Sequence, residues 1–179
     1  MKTTLLIVLF FMTSSVLARA QTQETRIAPS CGPNEIKFEV KTAKNPHPAG
    51  QPEAGKARVY FFDDSPSTGW FPNSKLTTRA GVDGVWVGAT QRNSYFFFSV
   101  DPGEHHVCAS WQTWLGPGVN ATRKTAAAHF TAEAGRTYYF KVGGQLTQSA
   151  VGINLDPLDS DEAQLLARKY SLSTFQQKK

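Results

Sequence analysis

Two adjacent histidines and a cysteine stand close together in the run His105-His106-x-Cys108. Imidazole and thiolate groups bind zinc, and they also act as bases and nucleophiles in catalysis. A structural zinc site needs about four such ligands, and a catalytic site needs about three together with water. The remaining histidines are His47 and His129, and no CxxC, HExxH or HxH motif accompanies them. If this is a site, it belongs to a metal- or calcium-dependent binder or hydrolase that uses His106, Cys108 and His129.

The alternation of side chains along a β-strand separates the two histidines. Beyond the Pro102-Gly103 turn, His105 falls on an otherwise apolar face, which it shares with Val107, Ala109 and Trp111. We therefore expect the His105 ring to lie against apolar neighbours, with a ring nitrogen bonded to the backbone. His106 and Cys108 fall on the opposite face. Because too few other ligands accompany them, we favour a surface histidine and a disulfide cysteine over a metal site.

The first 20 residues have the pattern of a secretory signal peptide. Lys2 supplies a positive charge, Leu5–Met12 is an unbroken apolar run, and Ala18-Arg19-Ala20 matches the cleavage site. Because a membrane-spanning helix needs about 20 apolar residues, we expect no transmembrane span in the mature chain. The prediction is an exported protein, either periplasmic or extracellular. An even number of cysteines in an oxidising compartment indicates a disulfide, here between Cys31 and Cys108.

The distribution of charge argues against a nucleic-acid partner. Loss of Lys2 and Arg19 with the signal peptide lowers the formal net charge from +5 to +3. The remaining lysines and arginines are scattered and form no basic stripe. The sequence also lacks a G-x-S-x-G elbow or another recognisable set of acid, base and nucleophile. We therefore expect no catalytic residue and no cofactor.

Short strands at roughly ten-residue intervals, separated by Gly, Pro, Asn and Asp, predict the fold. The Asp83-Gly84 turn between two apolar runs is a strong hairpin signal. About seven to nine strands in this pattern indicate an all-β antiparallel sandwich, immunoglobulin-like or prealbumin-like, with one short C-terminal helix. The predicted strands are 36–41, 57–62, 76–82, 85–88, 95–98, 105–111, 126–132, 137–142 and 151–155.

The sequence predicts a single domain over residues 35–172, preceded by a flexible segment at 21–34 and followed by a tail at 173–179. The helix is expected at about 159–170, with Asp159 or Ser160 as its cap. The acid-rich stretch around it lacks the residue order of a calcium loop, so capping explains it better. The strands at 95–98 and 138–140 are apolar on both faces, which predicts a second cover from the helix or the long loops.

The tryptophans are the remaining candidates for ligand contact. Trp70 and Trp114 fall in predicted loops, where exposed aromatic rings can stack on sugars or peptides. Trp86 and Trp111 fall in predicted strands, and we expect them in the sandwich core. An unknown envelope protein or a glycan is the partner that such an aromatic surface would suit.

The order of motifs in the chain resembles a bacterial family of unknown function, domain-of-unknown-function family 2846. The resemblance rests on KARVYFF, GVDGVWVGA, SYFFFSVDPGEHHVCASW, HFTAEAGRTYYFKV and DSDEAQLLARKY. It implies an exported protein, although the lipobox cysteine of many relatives is missing here. The P-G-x-H and A-G-x-x-Y-Y motifs are also similar to carboxypeptidase-regulatory-like and transthyretin-like sandwiches. The family supplies no catalytic residues, so we expect a non-catalytic binding or accessory module of the bacterial cell envelope.

Overall fold

A computed structural model describes residues 31–44, 50–65, 76–112, 121–146 and 151–179. They form eleven strands and one helix. The strands are β1 (Phe38–Ala43), β2 (Ala57–Asp63), β3 (Thr77–Val82), β4 (Val85–Gln91), β5 (Ser94–Val100), β6 (Gly103–Trp111), β7 (Ala121–Arg123), β8 (Thr125–Ala132), β9 (Thr137–Leu146), β10 (Val151–Pro157) and β11 (Ser171–Gln177). The helix is α1 (Ser160–Lys169). The predicted signal peptide, His47, Trp70 and Trp114 lie outside the described residues.

The strands form two sheets, which confirms the predicted all-β sandwich with a C-terminal helix. One sheet has seven strands in the order β1-β11-β5-β2-β9-β10-β7, and the other has four in the order β4-β3-β6-β8. Most neighbouring strands are antiparallel, whereas β2–β9, β5–β11 and β7–β10 are parallel. All nine predicted strands are present, and β7 and β11 are additional to them.

The central core lies between the two sheets. Alternate side chains of the strands point into it, as period-two patterning requires. Its buried members include Val59, Phe61, Ala80, Val82, Phe96, Val107, Ala109, Trp111, Phe140, Val142, Ile153 and Leu155. The inward positions of Val107, Ala109 and Trp111 confirm the predicted register of β6.

Trp86 is buried, but it lies outside this central core. A register shift between Ala80 and Gly81 sets Trp86 opposite Gly81, on the outer face of the four-stranded sheet. There it packs with Phe38 and Cys108 in a second cluster. The expected burial of Trp86 is confirmed, but a bulge places its side chain in this outer cluster and not between the two sheets.

Helix α1 covers part of the outer face of the seven-stranded sheet. Ala163 and the helix C-cap Tyr170 pack with Phe62 and Tyr95 in a third buried cluster. This arrangement confirms the second cover predicted for the strand at 95–98. Asp159 is the N-cap, and its Oδ1 accepts a hydrogen bond of 2.8 Å from the Asp161 amide. The acid-rich stretch therefore caps the helix, as predicted.

The prediction of a C-terminal tail at 173–179 was wrong, because β11 continues to Gln177. This strand lies between β1 and β5 and pairs with β1 from Leu172 to Gln177. Phe175 anchors it, with its ring centroid 5.1 Å from that of Phe96 and 5.8 Å from that of Phe38. The polar composition of SLSTFQQ does not suggest a strand. Its partner β1 is more than a hundred residues away in the sequence.

The predicted flexible segment at 21–34 is described only from Cys31 onward, and that part is held in place. Trp86 Nε1 donates a hydrogen bond of 2.7 Å to the Pro33 carbonyl. A Cβ on Gly32 would lie 2.5 Å from the Trp86 ring, so only glycine fits there. No helix among the described residues is long and apolar enough to cross a membrane.

Candidate functional site

His105 lies at the corner of the β3–β4 and β5–β6 turns, close to two aspartates. Its Nδ1 is 2.7 Å from Asp83 Oδ2, and its Nε2 is 2.7 Å from the Asp101 carbonyl oxygen. Its ring lies 5.7 Å from that of Phe130, centroid to centroid. Both nitrogen partners are acceptors, so the arrangement favours the doubly protonated imidazolium. The predicted apolar neighbour and backbone bond are confirmed, whereas the Asp83 partner was not foreseen.

Charge complementarity shifts the pKa of both members of this pair. Partial burial acts to lower the pKa of His105, but its bonds to Asp83 and to the Asp101 carbonyl prevail and raise that pKa. Burial acts to raise the pKa of Asp83, but bonds from the His106 amide and the His105 ring lower it below its ordinary value. Because both ring nitrogens are engaged, His105 has no free nitrogen with which to act as a base. We therefore assign it a structural role at the corner.

The predicted disulfide between Cys31 and Cys108 is present, with Cα atoms 5.5 Å apart. Cys108 is fully buried on the outer face of the four-stranded sheet. A sulfur bonded in this way is not a thiolate, so Cys108 is neither a metal ligand nor a nucleophile. The alternative site of His106, Cys108 and His129 was therefore wrong as a three-residue set. Among the described residues, no three His, Cys, Asp or Glu side chains come together to hold a metal ion.

His106 and His129 nevertheless lie side by side. They are register partners on β6 and β8, and their ring centroids are 6.3 Å apart. His129 is exposed and His106 is half-buried. The structure thus brings together two of the three side chains of the alternative site.

A row of three aromatic rings crosses the outer face of the seven-stranded sheet. It consists of Phe97 on β5, Tyr60 on β2 and Tyr139 on β9, and we call it the aromatic row. The ring centroid of Tyr60 is 5.3 Å from that of Phe97 and 5.4 Å from that of Tyr139. All three side chains are half-buried. The rings follow from strand register, because Tyr60 is paired with both Phe97 and Tyr139.

Polar side chains lie beside the aromatic row, two residues along each strand. Arg58 is the register partner of Ser99 on β5 and of Thr137 on β9, and these three form a polar row. The Arg58 guanidinium lies 5.1 Å from the Phe97 ring centroid. It also donates to the carbonyl oxygens of Gly50 and Gln51, which fix its position. The surface therefore offers apolar ring faces next to hydrogen-bonding groups.

Helix α1 bounds the aromatic row on its other side. The next pair of rings, Phe62 and Tyr95, is fully buried against the helix. Lys141 Nζ on β9 and Glu162 Oε1 on the helix are 2.5 Å apart. The helix thus covers part of the sheet face and leaves the aromatic row at its border.

A cleft of about 430 Å³ opens at the Tyr139 end of the aromatic row. It lies between β8, the start of β9 and the N-terminal end of α1. Its lining combines apolar and polar side chains, among them His129, Thr137, Tyr139, Leu158, Asp159 and Ser160. The aromatic row, the polar row and the cleft together form a surface suited to binding.

The sequence alone did not predict this surface. The aromatic residues were recognised, but they were expected to be covered. The signal that could have identified them is that β2, β5 and β9 all carry apolar side chains on both faces. A ten-residue helix is too short to cover the outer face of all three strands. The tryptophans that were selected, Trp70 and Trp114, lie outside the described residues, so their role stays a prediction.

One protein family matches the chain. The family is described as a protein of unknown function (DUF2846), and its model matches residues 53–153, more than half of the 179 residues. The match spans β2 to β9 and ends within β10, and so includes the aromatic row, the polar row and both histidine arrangements. No curated protein matches the chain.

Proposed function

The chain belongs to the family of unknown function DUF2846, and we propose that it is an exported, non-catalytic binding module of the bacterial cell envelope that holds an extended glycan. The aromatic row is the observation that carries this proposal. Three half-buried rings at 5.3 and 5.4 Å spacing form a line across a sheet face. A linear ligand of repeating rings fits such a line.

The chemistry of a sugar suits this surface. One face of a pyranose ring carries C–H groups that pack against aromatic rings, and its edge carries hydroxyl groups that need donors and acceptors. Ligand sites typically combine aromatic walls with a few polar groups that fix orientation. Here the aromatic row supplies the ring faces, and Arg58, Ser99 and Thr137 supply hydrogen-bonding groups beside it. The cleft beyond Tyr139 would receive one end of the glycan.

Two further observations support the exported and non-catalytic parts of the proposal. The disulfide between Cys31 and Cys108 is the kind of bond that persists in oxidising compartments. It agrees with the signal-peptide pattern of residues 1–20. The groups that first suggested catalysis are otherwise engaged, since Cys108 is oxidised and both nitrogens of His105 are bonded.

Retention on insoluble glycans tests the proposal. The mature protein is incubated with peptidoglycan sacculi, chitin and cellulose, and soluble oligosaccharides of the retained polymer are then titrated by calorimetry. We expect Tyr60→Ala to weaken binding about tenfold, since a stacked aromatic contact contributes ~1 kcal/mol beyond its buried area. Tyr60→Phe keeps the ring and should bind nearly as well as the parent protein.

Leu165→Ala is the matched surface control, because Leu165 is a large exposed apolar side chain on α1 that is not part of the aromatic row. It should leave binding unchanged. The proposal fails if no glycan is retained, or if Tyr60→Ala binds as tightly as Tyr60→Phe. Export is tested separately by N-terminal sequencing of the protein recovered outside the cytoplasm, which should begin at Gln21.

A further inference from the structure

We propose that His106 and His129 form a two-ligand site for a divalent transition-metal ion of the Cu²⁺, Ni²⁺ or Zn²⁺ class. The site lies on the outer face of the four-stranded sheet. It uses neither the aromatic row nor the polar row, and it shares with the glycan proposal only His129, which also lines the cleft.

The backbone places the two imidazoles in a favourable relation. The His106 amide donates to Asp83 Oδ1 at 2.8 Å, and the His106 carbonyl accepts from the Asp83 amide at 2.9 Å. In an antiparallel strand the N–H and C=O of one residue point to the same side. His106 thus directs its backbone groups away from β8. His106 and His129 therefore form a non-hydrogen-bonded pair, the kind in which facing side chains come closest.

The rings are near enough to share an ion. Their centroids are 6.3 Å apart, with an angle of 46° between the ring planes. In the part of the chain that the structure describes, neither ring makes a hydrogen bond or an ion pair. A metal ion binds an imidazole nitrogen at ~2.0–2.1 Å. The proposal requires that the exposed His129 side chain rotate to bring its nitrogen to that distance from an ion held by His106.

The identity of the ligands selects the class of metal. Neutral imidazole suits copper, nickel and zinc, and affinity within this series is greatest for Cu²⁺. Two protein ligands leave the remaining coordination positions to water or to a donor from another molecule. The neighbouring His105 cannot join the site, because its side chain points to the opposite face and both of its nitrogens are bonded.

A Cu²⁺ titration of the untagged mature protein tests this proposal. Calorimetry gives stoichiometry and affinity, and electron paramagnetic resonance counts the nitrogen ligands. We expect one saturable site with two imidazole nitrogens. His106→Ala and His129→Ala should each weaken Cu²⁺ binding at least tenfold. The double substitution should remove the site and leave only adventitious binding. His47→Ala is the control for adventitious binding by a histidine and should change nothing.

Site-specific readout comes from nuclear magnetic resonance. Paramagnetic Cu²⁺ should broaden the amide signals of residues 105–107 and 128–130 before any others. The proposal is overturned if binding is unsaturable, if His129→Ala binds as the parent does, or if broadening starts elsewhere. Because His129 is exposed, its substitution tests the site even if His106→Ala fails to fold. Tyr60→Ala should bind Cu²⁺ normally, which separates this result from that of the glycan test.

Discussion

The outer faces of the two sheets are covered in different ways. The four-stranded sheet is covered by the N-terminal segment from Cys31 to Phe38. A disulfide and hydrogen bonds to the backbone of this segment attach it to the sheet. The seven-stranded sheet is covered by helix α1, which is attached chiefly by buried apolar side chains. Both covers pack apolar side chains against their sheet, but the first adds a disulfide and several hydrogen bonds to backbone carbonyls.

Arg79 is the centre of the first attachment. Its Nη1 donates to the carbonyl oxygens of Asn34 at 3.0 Å and Ile36 at 2.7 Å. Its guanidinium also lies 4.2 Å from the Trp86 ring centroid. The side chain of Gln112 holds Phe38, two residues beyond Ile36, by accepting from its amide and donating to its carbonyl. The difference between the faces predicts that single substitutions on the four-stranded side release a whole segment.

Removal of the disulfide should have the largest effect. We expect Cys31→Ser with Cys108→Ala to lower the free energy of unfolding by about 4 kcal/mol, since the bond closes a loop between residues 77 apart in sequence. Urea denaturation measures the loss, and a red shift of tryptophan fluorescence would report exposure of Trp86. Dithiothreitol should destabilise the parent and leave the variant unchanged. Equal stability of parent and variant would show that the cover is held without the bond.

Arg79→Met should have the second largest effect. The substitution preserves the aliphatic stem but leaves the carbonyls of Asn34 and Ile36 without their donor, which costs about 2 kcal/mol. Urea denaturation provides the measurement. Arg79→Lys is the control, because one ammonium group can donate to only some of the carbonyl oxygens that the guanidinium reaches. The free energy of unfolding of Arg79→Lys should lie between those of the parent and of Arg79→Met. If Arg79→Met matches the parent, the comparison between the faces loses its main support.

A polar contact on the helix side should matter less. The Tyr170 hydroxyl donates to Asp64 Oδ1 at 2.5 Å, and burial together with the nearby Asp64 carboxylate raises the pKa of Tyr170. Tyr170→Phe removes this bond and keeps the apolar packing. We expect a loss of about 1.5 kcal/mol in thermal or urea unfolding. Tyr139→Phe also deletes a hydroxyl on the same sheet face and should cost less. A loss larger than that of Arg79→Met would reverse the comparison.

Period-two patterning was sufficient to predict most of this fold. Nine strands, the helix cap at Asp159 and the inward face of β6 follow from local alternation and turn residues. The disulfide followed from the number of cysteines and the export signal. These features are local or compositional, so the sequence displays them directly.

The features that were missed depend on residues distant in the chain. The strand β11 is recognisable only through its pairing with β1. The outward position of Trp86 depends on a bulge between β3 and β4, which no period reveals. The half-buried aromatic row depends on where α1 packs on the sheet face. The partnership of His105 with Asp83 likewise requires two hairpins to meet.

The His105–Asp83 pair gives the smallest predicted effect on stability, and this effect concerns only the four-stranded sheet. The folded-state pKa of His105 is raised above its ordinary 6.5, so its contribution to stability is complete below pH 6.5 and is lost as pH rises through the higher folded value. The folded-state pKa of Asp83 is lowered below 3.8, so its contribution is present above pH 3.8 and is lost as pH falls through the lower value. The pair should therefore stabilise the fold most between these two ordinary values.

His105→Gln tests this effect, because glutamine can still donate one hydrogen bond but carries no charge. The free energy of unfolding of parent minus variant should be largest near pH 5.5 and smaller at pH 8.5. The change should stay below about 1 kcal/mol, because Asp83 is 42% exposed and solvent screens the pair. His129→Gln is the matched control, since that ring forms no hydrogen bond or ion pair with an acidic side chain among the described residues, and its difference from the parent should not follow this pH course. A difference for His105→Gln that grows with pH would show that His105 is bonded as the neutral ring.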